Sequence, residues 1–303
     1  MKVARFPLFC GVLIAALLLL LLYFSCHARI DESMEARKTN KYNVIFAGTC
    51  KNVEPHLETN LDHIEMCAKK FHDYAVVIYE NDSTDDTRNI LLRRKKSNYE
   101  YIFEDNVTEP LRTLRLAHGR NRILEKVWKL NADNYFDYLI MMDLDDVNAD
   151  GTFVSTISEC FEQESWDVVS ANQSDTYYDW WALRLPGFMN YDCWIPDSDQ
   201  DNCYSFFGKR FEQEKGWIAV DSAFGGMAIY NLKTIPKTCR YQGIHPDGNE
   251  KCEHVDFHKC IKDHGGKQFI NTRFINGDSI LSANNEQTLV TRKHPSKGRK
   301  PQP

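Results

Sequence analysis

The run Tyr138-Leu139-Ile140-Met141-Met142-Asp143-Leu144-Asp145-Asp146 sets three acids directly after five apolar or aromatic residues. A buried central strand accounts for the first part. Capping of a following helix explains one of the acids but not three. Asp143 and Asp145, two apart at the strand's carboxyl end, can both offer oxygen to one hard divalent cation, Mn2+ or Mg2+. Such an ion stabilises charge developing on a leaving group, so Asp145 is both a metal-ligand candidate and the first catalytic candidate.

Three further strings could serve the same centre. Ile78-Tyr79-Glu80-Asn81-Asp82-Ser83-Thr84-Asp85-Asp86-Thr87 follows an apolar run and opens a helix. Its acids therefore stand at a strand's carboxyl end, the edge at which open α/β sheets bind ligands. Capping by Ser83 or Thr84, with Asp85 and Asp86 complementing the helix dipole, contributes to the same pattern. Arg112, Arg115, Arg120, Arg122, Lys126 and Lys129 crowd one helix ahead of the acids. A solvated face is the ordinary account of Arg115, Arg122 and Lys126, while an arginine fork at Arg120 suits phosphate oxygens. Cys252-Glu253-His254-Val255-Asp256-Phe257-His258 offers an imidazole to complete an Asp/Asp/His set. His254 is the first candidate, and His258, one helical turn on, the alternate.

The elements that must position these groups alternate in type. Strands are expected over 42–47, 74–79, 99–103, 138–142 and 166–170, with a glycine-interrupted one within 220–230. Helices are expected over 54–70, 84–96 and 113–131, the last with Leu114, Ala117, Ile123, Leu124, Val127 and Leu130 on one apolar face. The pattern predicts an α/β fold with a mostly parallel central sheet and helices on both faces. No internal repeat or second domain boundary is visible. Residues 186–216 are too irregular for a core element and read as a loop near the site, with Cys193 and Cys203 the first pair to test for a disulfide.

With 303 residues, 43% hydrophobic and 12% aromatic, the chain can build a sizeable core. The net charge of −6 conceals two basic ends, so the body carries about −13, which argues against a nucleic-acid partner. Residues 8–25 carry no charge and are long enough for about 27 Å of helix, near a bilayer's span. Lys2 and Arg5 precede this stretch and Asp31, Glu32 and Glu35 follow it, so a retained anchor would put residues 1–7 in the cytosol and the body in a lumen. A cleaved signal peptide is the competing reading. Residues 26–41 read as a stem, 42–290 as the catalytic domain and 291–303 as a disordered basic tail. Ten cysteines fit an oxidising compartment. Sequons stand at Asn81, Asn106 and Asn172, and Asn81 is expected to be buried and unmodified.

In order, these strings resemble the fungal capsule-associated α-1,3-mannosyltransferases and, more distantly, the yeast Golgi mannan-polymerase subunits, both GT-A (Rossmann-like) glycosyltransferases. The resemblance covers most of residues 42–277. It includes Arg112-Thr113-Leu114-Arg115 through Leu124, Tyr178-Asp179-Trp180-Trp181-Ala182-Leu183-Arg184 and Phe224-Gly225-Gly226-Met227-Ala228-Ile229-Tyr230. It implies a single-pass type II Golgi membrane protein, a GDP-mannose donor, Mn2+, a glycan acceptor and retention of anomeric configuration. It further implies that Asp143, Asp145 and His254 bind metal, that Glu80 and Asp82 contact base and ribose, and that Arg120-Asn121 approaches the diphosphate.

Tyr178, Asp179, Trp180 and Trp181 supply aromatic faces and a carboxylate suited to a sugar, although core aromatics fit the same string. Gly225-Gly226 either admits a ligand close to the backbone or marks a turn. Asp221 would be the base if the reaction inverted. Two rivals stand. Asp143-Leu144-Asp145-Asp146-Val147 also resembles the nucleophile motif of haloacid-dehalogenase phosphatases, in which the first Asp is phosphorylated. The chain could also be a catalytically silent, sugar-binding subunit of a Golgi complex.

Overall fold

The computed structural model describes residues 38–192 and 209–277. The anchor, the cytosolic and basic ends, most of the stem, and Cys193 and Cys203 lie outside the described residues. Among the described residues no helix is long and apolar enough to cross a membrane.

Eight strands form one sheet. They are β1 (Asn43–Cys50), β2 (Asp73–Asn81), β3 (Tyr99–Glu104), β4 (Tyr138–Met142), β5 (Val168–Gln173), β6 (Trp217–Ala219), β7 (Met227–Asn231) and β8 (Gln268–Gly277). The helices are α1 (Glu54–Ala68), α2 (Thr87–Arg93), α3 (Arg112–Leu130), α4 (Phe153–Thr156) and α5 (Glu253–Asp263). Strand order is β3-β2-β1-β4-β7-β5-β8-β6. Strands β1 to β4 run parallel, β7 runs antiparallel to both β4 and β5, β8 is parallel to β5, and β6 reverses against β8. The expected mostly parallel sheet is present, with two reversed strands.

Successive side chains on a strand point to opposite faces, so a strand apolar at every position demands cover on both. Val44, Phe46, Val76, Ile78, Ile140 and Met142 pack with Leu57, Leu61 and Ile64 of α1 and Ile90 and Leu91 of α2. Ile45, Ala47, Val77, Tyr79, Leu139 and Met141 pack with Ala117, Ile123, Leu124 and Val127 of α3 and Phe257 and Ile261 of α5. Gly119 lets α3 lie close on the sheet, because a Cβ there would sit 2.7 Å from the Tyr79 ring.

Two elements differ from expectation. The segment 220–230 is not one interrupted strand: β6 ends at Ala219, β7 begins at Met227, and Gly225 and Gly226 turn the chain between them at φ +65 and +82. Strand β8 has no apolar run to betray it, because Gln268, Asn271, Thr272 and Asn276 are buried in it through hydrogen bonds. A disulfide joins Cys239, in the segment after β7, to Cys260 of α5, whereas Cys50, Cys67, Cys160 and Cys252 are buried thiols.

Glu65 of α1 anchors an ionic cluster against the α2–β3 connection. Burial alone would push its carboxyl up, but hydrogen bonds from Lys96, Arg94 and Tyr99 outweigh that and bring it down to about 2. A lowered folded-state pKa contributes stability that is fully present above the unfolded value near 4.5 and is lost as pH falls toward 2. Urea denaturation of wild type and Glu65→Gln at pH 6 and pH 3 is expected to show the difference between them shrinking at the lower pH. An unchanged difference would mean that the cluster does not stabilise the fold.

Candidate active site

Asp143 leaves the end of β4 at the middle of the sheet, and its position is fixed through the backbone. Its N–H donates to the Gly226 carbonyl at 2.9 Å, and Asn148 Nδ2 donates to both the Asp143 carbonyl (2.8 Å) and the Gly226 carbonyl (2.9 Å). Asn276 Nδ2 donates to Asn148 Oδ1 and to the Gly225 carbonyl, and Gln173 Nε2 donates to the same carbonyl and to Asn276 Oδ1. These three amides are no more than 2% exposed. A satisfied buried polar network of this kind rigidifies what it holds. The two glycines are needed for the turn itself: a Cβ on Gly226 would lie 2.4 Å from Val147 Cγ1, and one on Gly225 would lie 2.6 Å from the Ala171 carbonyl oxygen. Close packing of the turn, with its positive φ angles, accounts for the glycine pair.

Asp145 accepts from the Val147 N–H at 3.3 Å, and its carbonyl accepts from the fully buried Asn60. Asp143 keeps 27% of its side-chain surface, so the acid stands at the floor of an open recess. Desolvation pushes its carboxyl up against the pull of Arg120, with repulsion from Asp179 adding to the rise. Desolvation, then repulsion from Asp143 and Asp146, pushes Asp145 up to about 7. Asp179 is also raised by desolvation, despite accepting from the N–H groups of Gly225 and Ala182. Acids crowded in a recess with too little positive charge are an environment that favours a cation.

Arg120 is 3% exposed and already engaged. Its Nη2 meets Asp143 Oδ1 at 2.8 Å, its Nη1 meets Glu253, and its guanidinium lies over Phe224 (5.0 Å) and Tyr241 (5.9 Å). In this structure Arg120, expected to approach a diphosphate, is the internal counter-ion of Asp143 and Glu253. Asn121 is likewise structural, because its amide exchanges two hydrogen bonds with the Tyr241 backbone, both at 2.9 Å. Glu80 is corrected too, being 0% exposed with its oxygens taken by Arg88 and the Ser83 N–H.

Asp82 is partly exposed and accepts from the N–H groups of Asn106 (2.6 Å) and Val107 (3.1 Å). The Asn81 amide, then these N–H groups, hold its carboxyl low. It shapes an open pocket at the end of β3, lined by Glu104, Asp105, Asn106, Val107 and His118 among others. Asp179 braces the Gly225 turn beside the acids.

Asp221, the base candidate, ion-pairs with Lys262 near the carboxyl end of α5, whereas Glu253 and His254 open that helix. The intervening eight residues of helix put the two ends about 12 Å apart. Tyr177 and Trp180 are core residues packed with Phe211.

His254 is 2% exposed, stacks on Phe224 at 3.9 Å, and has no hydrogen-bond partner at either ring nitrogen. Burial first, then Arg120 and His258, hold it neutral. His258 is fully partnered by Tyr230, Ser222 and the Ala223 N–H, which removes it as the alternate ligand. Ligand atoms of Asp143, Asp145 and His254 do not all lie within 4.8 Å of one another; among the described residues that grouping occurs at Cys239, Cys260 and His264, where the two sulfurs are already bonded to each other.

Sequence reasoning passed over Arg112, exposed in the first turn of α3 and without an ion pair among the described residues, whose charge acts on Asp143, Asp145 and Asp179. It also missed Asn148, in the short turn after β4, and Gln173 and Asn276, near the ends of β5 and β8, which no local pattern marks. Of the sequons, Asn81 and Asn172 are buried and Asn106 is exposed.

No protein-family model and no curated protein matches this chain. Solved structures that resemble it include a mannosyltransferase from Pyrobaculum calidifontis in complex with GDP-Man and Mn2+ (12% identity, TM-score 0.47, covering 84% of this chain and 62% of that one). Another is S. aureus TarS 1-349 (14% identity, TM-score 0.44, 76% and 58%). A third is glucosyl-3-phosphoglycerate synthase from Mycobacterium tuberculosis with Mn2+, UDP and phosphoglyceric acid (16% identity, TM-score 0.32, 46% of each chain). The chain thus spans less than two thirds of each of these structures, and likeness at this level fixes neither a shared activity nor a shared ligand.

Gly226→Ala is expected to destabilise the fold by about 1–3 kcal/mol or more, since a left-handed φ and a clash act together. Urea unfolding measures this, and a variant as stable as wild type would show that the turn does not fix Asp143.

Proposed function

We propose that this chain is a metal-dependent GT-A glycosyltransferase that moves a sugar, mannose from GDP-mannose, onto a glycan acceptor with retention of configuration. The observation that carries the reading is the pair Asp143 and Asp145, raised by burial and by neighbouring carboxylates and held at the carboxyl end of a central parallel strand. The donor types, two carboxylates and a buried neutral imidazole at His254 with no hydrogen-bond partner, are ones that Mn2+ takes, although the three are not drawn within 4.8 Å of one another in this structure. Asp143, Asp145 and His254 would hold the ion. When bound, it supplies charge neutralisation at the departing nucleotide diphosphate.

The chain's own residues do the rest. Arg120 opposes the rise of the Asp143 carboxyl and aims it, and the Gly225-Gly226 turn fixes its backbone. Arg112, exposed and without an ion pair among the described residues, would meet phosphate oxygens. Asp82 holds the open pocket at the ends of β2 and β3, the edge at which a nucleoside binds in open α/β sheets. Tyr178 and Trp181, half-buried beside Asp179, offer faces to a sugar. A Golgi type II membrane location with a luminal catalytic domain at 42–290 belongs to the same proposal and rests on the apolar run 8–25.

The phosphatase alternative is less favoured, because three strand–helix units precede β4 and the Asp143 carboxylate already bonds Arg120. Metal-dependent nucleotide release from GDP-mannose, set against phosphate release from a phosphomonoester, separates the two. Asp145→Ala is expected to lower nucleotide release at least about a hundredfold while leaving the thermal midpoint close to wild type. Normal turnover in that variant would remove the metal reading.

A further inference from the structure

Outside the acids, Arg184, Asp192 and His245 form a buried ionic relay to which the reading above assigns no role. Asp192 is 5% exposed and Arg184 8%. One Asp192 oxygen pairs with Arg184 Nη2, and the other takes His245 Nε2 at 2.7 Å. The remaining arm of Arg184 donates to the carbonyls of Trp181 (2.9 Å) and Leu183 (2.8 Å), so the carboxylate is fixed from both sides.

The relay joins two segments that come directly from the candidate site. Arg184 ends the stretch that begins at Asp179, the residue bracing the Gly225 turn. His245 lies on the loop 243–251, closed by Lys251 N–H to the Gly243 carbonyl and tied to α3 through Glu250 and Thr113. That loop runs into Cys252, Glu253 and His254.

An ion pair between Arg184 and Asp192 would staple these segments without any histidine. What the imidazole adds is chemical. In the tautomer that donates from Nε2 to the carboxylate, Nδ1 is a hydrogen-bond acceptor. Nδ1 has no partner among the described residues, and the ring keeps 25% of its surface. A held, partly exposed acceptor on segments that continue into the candidate site suits a hydroxyl donor.

We infer that His245, oriented by Asp192 and Arg184, accepts a hydrogen bond from a hydroxyl of the acceptor carbohydrate. The inference rests on the glycosyltransferase reading and assigns that site its acceptor side.

The test uses the full chain with Mn2+ and GDP-mannose, and a panel of methyl glycosides as acceptor probes. Total nucleotide release and glycoside product are both measured, which gives the partition between transfer and hydrolysis. His245→Gln retains an amide donor for Asp192 but lacks an acceptor at the Nδ1 position. It is expected to lower the transfer-to-hydrolysis ratio about tenfold, the cost of one lost hydrogen bond, with a thermal midpoint near wild type. Asp192→Asn is expected to lower the ratio as well, because the ring tautomer is no longer fixed. A staple with no ligand role would change stability and leave the ratio alone. An unchanged ratio in His245→Gln, or a wild-type enzyme that hydrolyses donor but transfers to no glycoside in the panel, overturns the inference. Absence of any metal-dependent nucleotide release from wild type instead overturns the reading on which it rests.

Discussion

Uncompensated negative charge in a recess governs this molecule. Asp143, Asp145 and Asp179 stand together half-buried, each raised by desolvation, and one buried guanidinium, Arg120, is shared between Asp143 and Glu253. Removing one partner from a buried pair is costly because it strands a charge, so such a cluster persists only where the surrounding packing holds it in place. Here the backbone does much of that holding. The amides of Asn148, Gln173 and Asn276 fix the glycine turn, and the turn fixes Asp143.

The same constraint explains the division of labour along α3. Buried Arg120 and half-buried Asn121 serve the scaffold, one as counter-ion and the other as a clamp on Tyr241. Its exposed first turn carries Arg112, whose charge reaches the acids from the solvent side. Tyr241 and Phe224 flank the Arg120 guanidinium, and the Cys239–Cys260 disulfide ties the Tyr241 segment to the helix that bears Glu253 and His254. Packing, charge and covalent linkage thus converge on the orientation of one carboxylate.

Strands β1 to β4 were legible because each is an apolar run bounded by polar residues, and a two-faced sheet needs such runs. The acids after Met142 were legible for the same reason, since a run that ends so abruptly has no packing explanation. The partners of those acids were not. Arg120 and Glu253 lie far apart in sequence, as do Asn121 and Tyr241, and nothing local indicates that a cation or amide will be consumed internally rather than left for a ligand. Glu80 was misread in the same way, because Arg88 closes on it from the next helix. Strand β8 was hidden by its buried Asn, Gln and Thr residues, which satisfy their polar groups through contacts that only the assembled sheet provides.

The most direct measurement is Mn2+ binding to the full chain followed by electron paramagnetic resonance, with and without GDP, in wild type and in Asp143→Asn. One bound ion per chain, tightened by GDP and lost in the variant, is the expected result. No binding by wild type, or equal binding by both proteins, would contradict the claim that these acids are assembled to hold a cation.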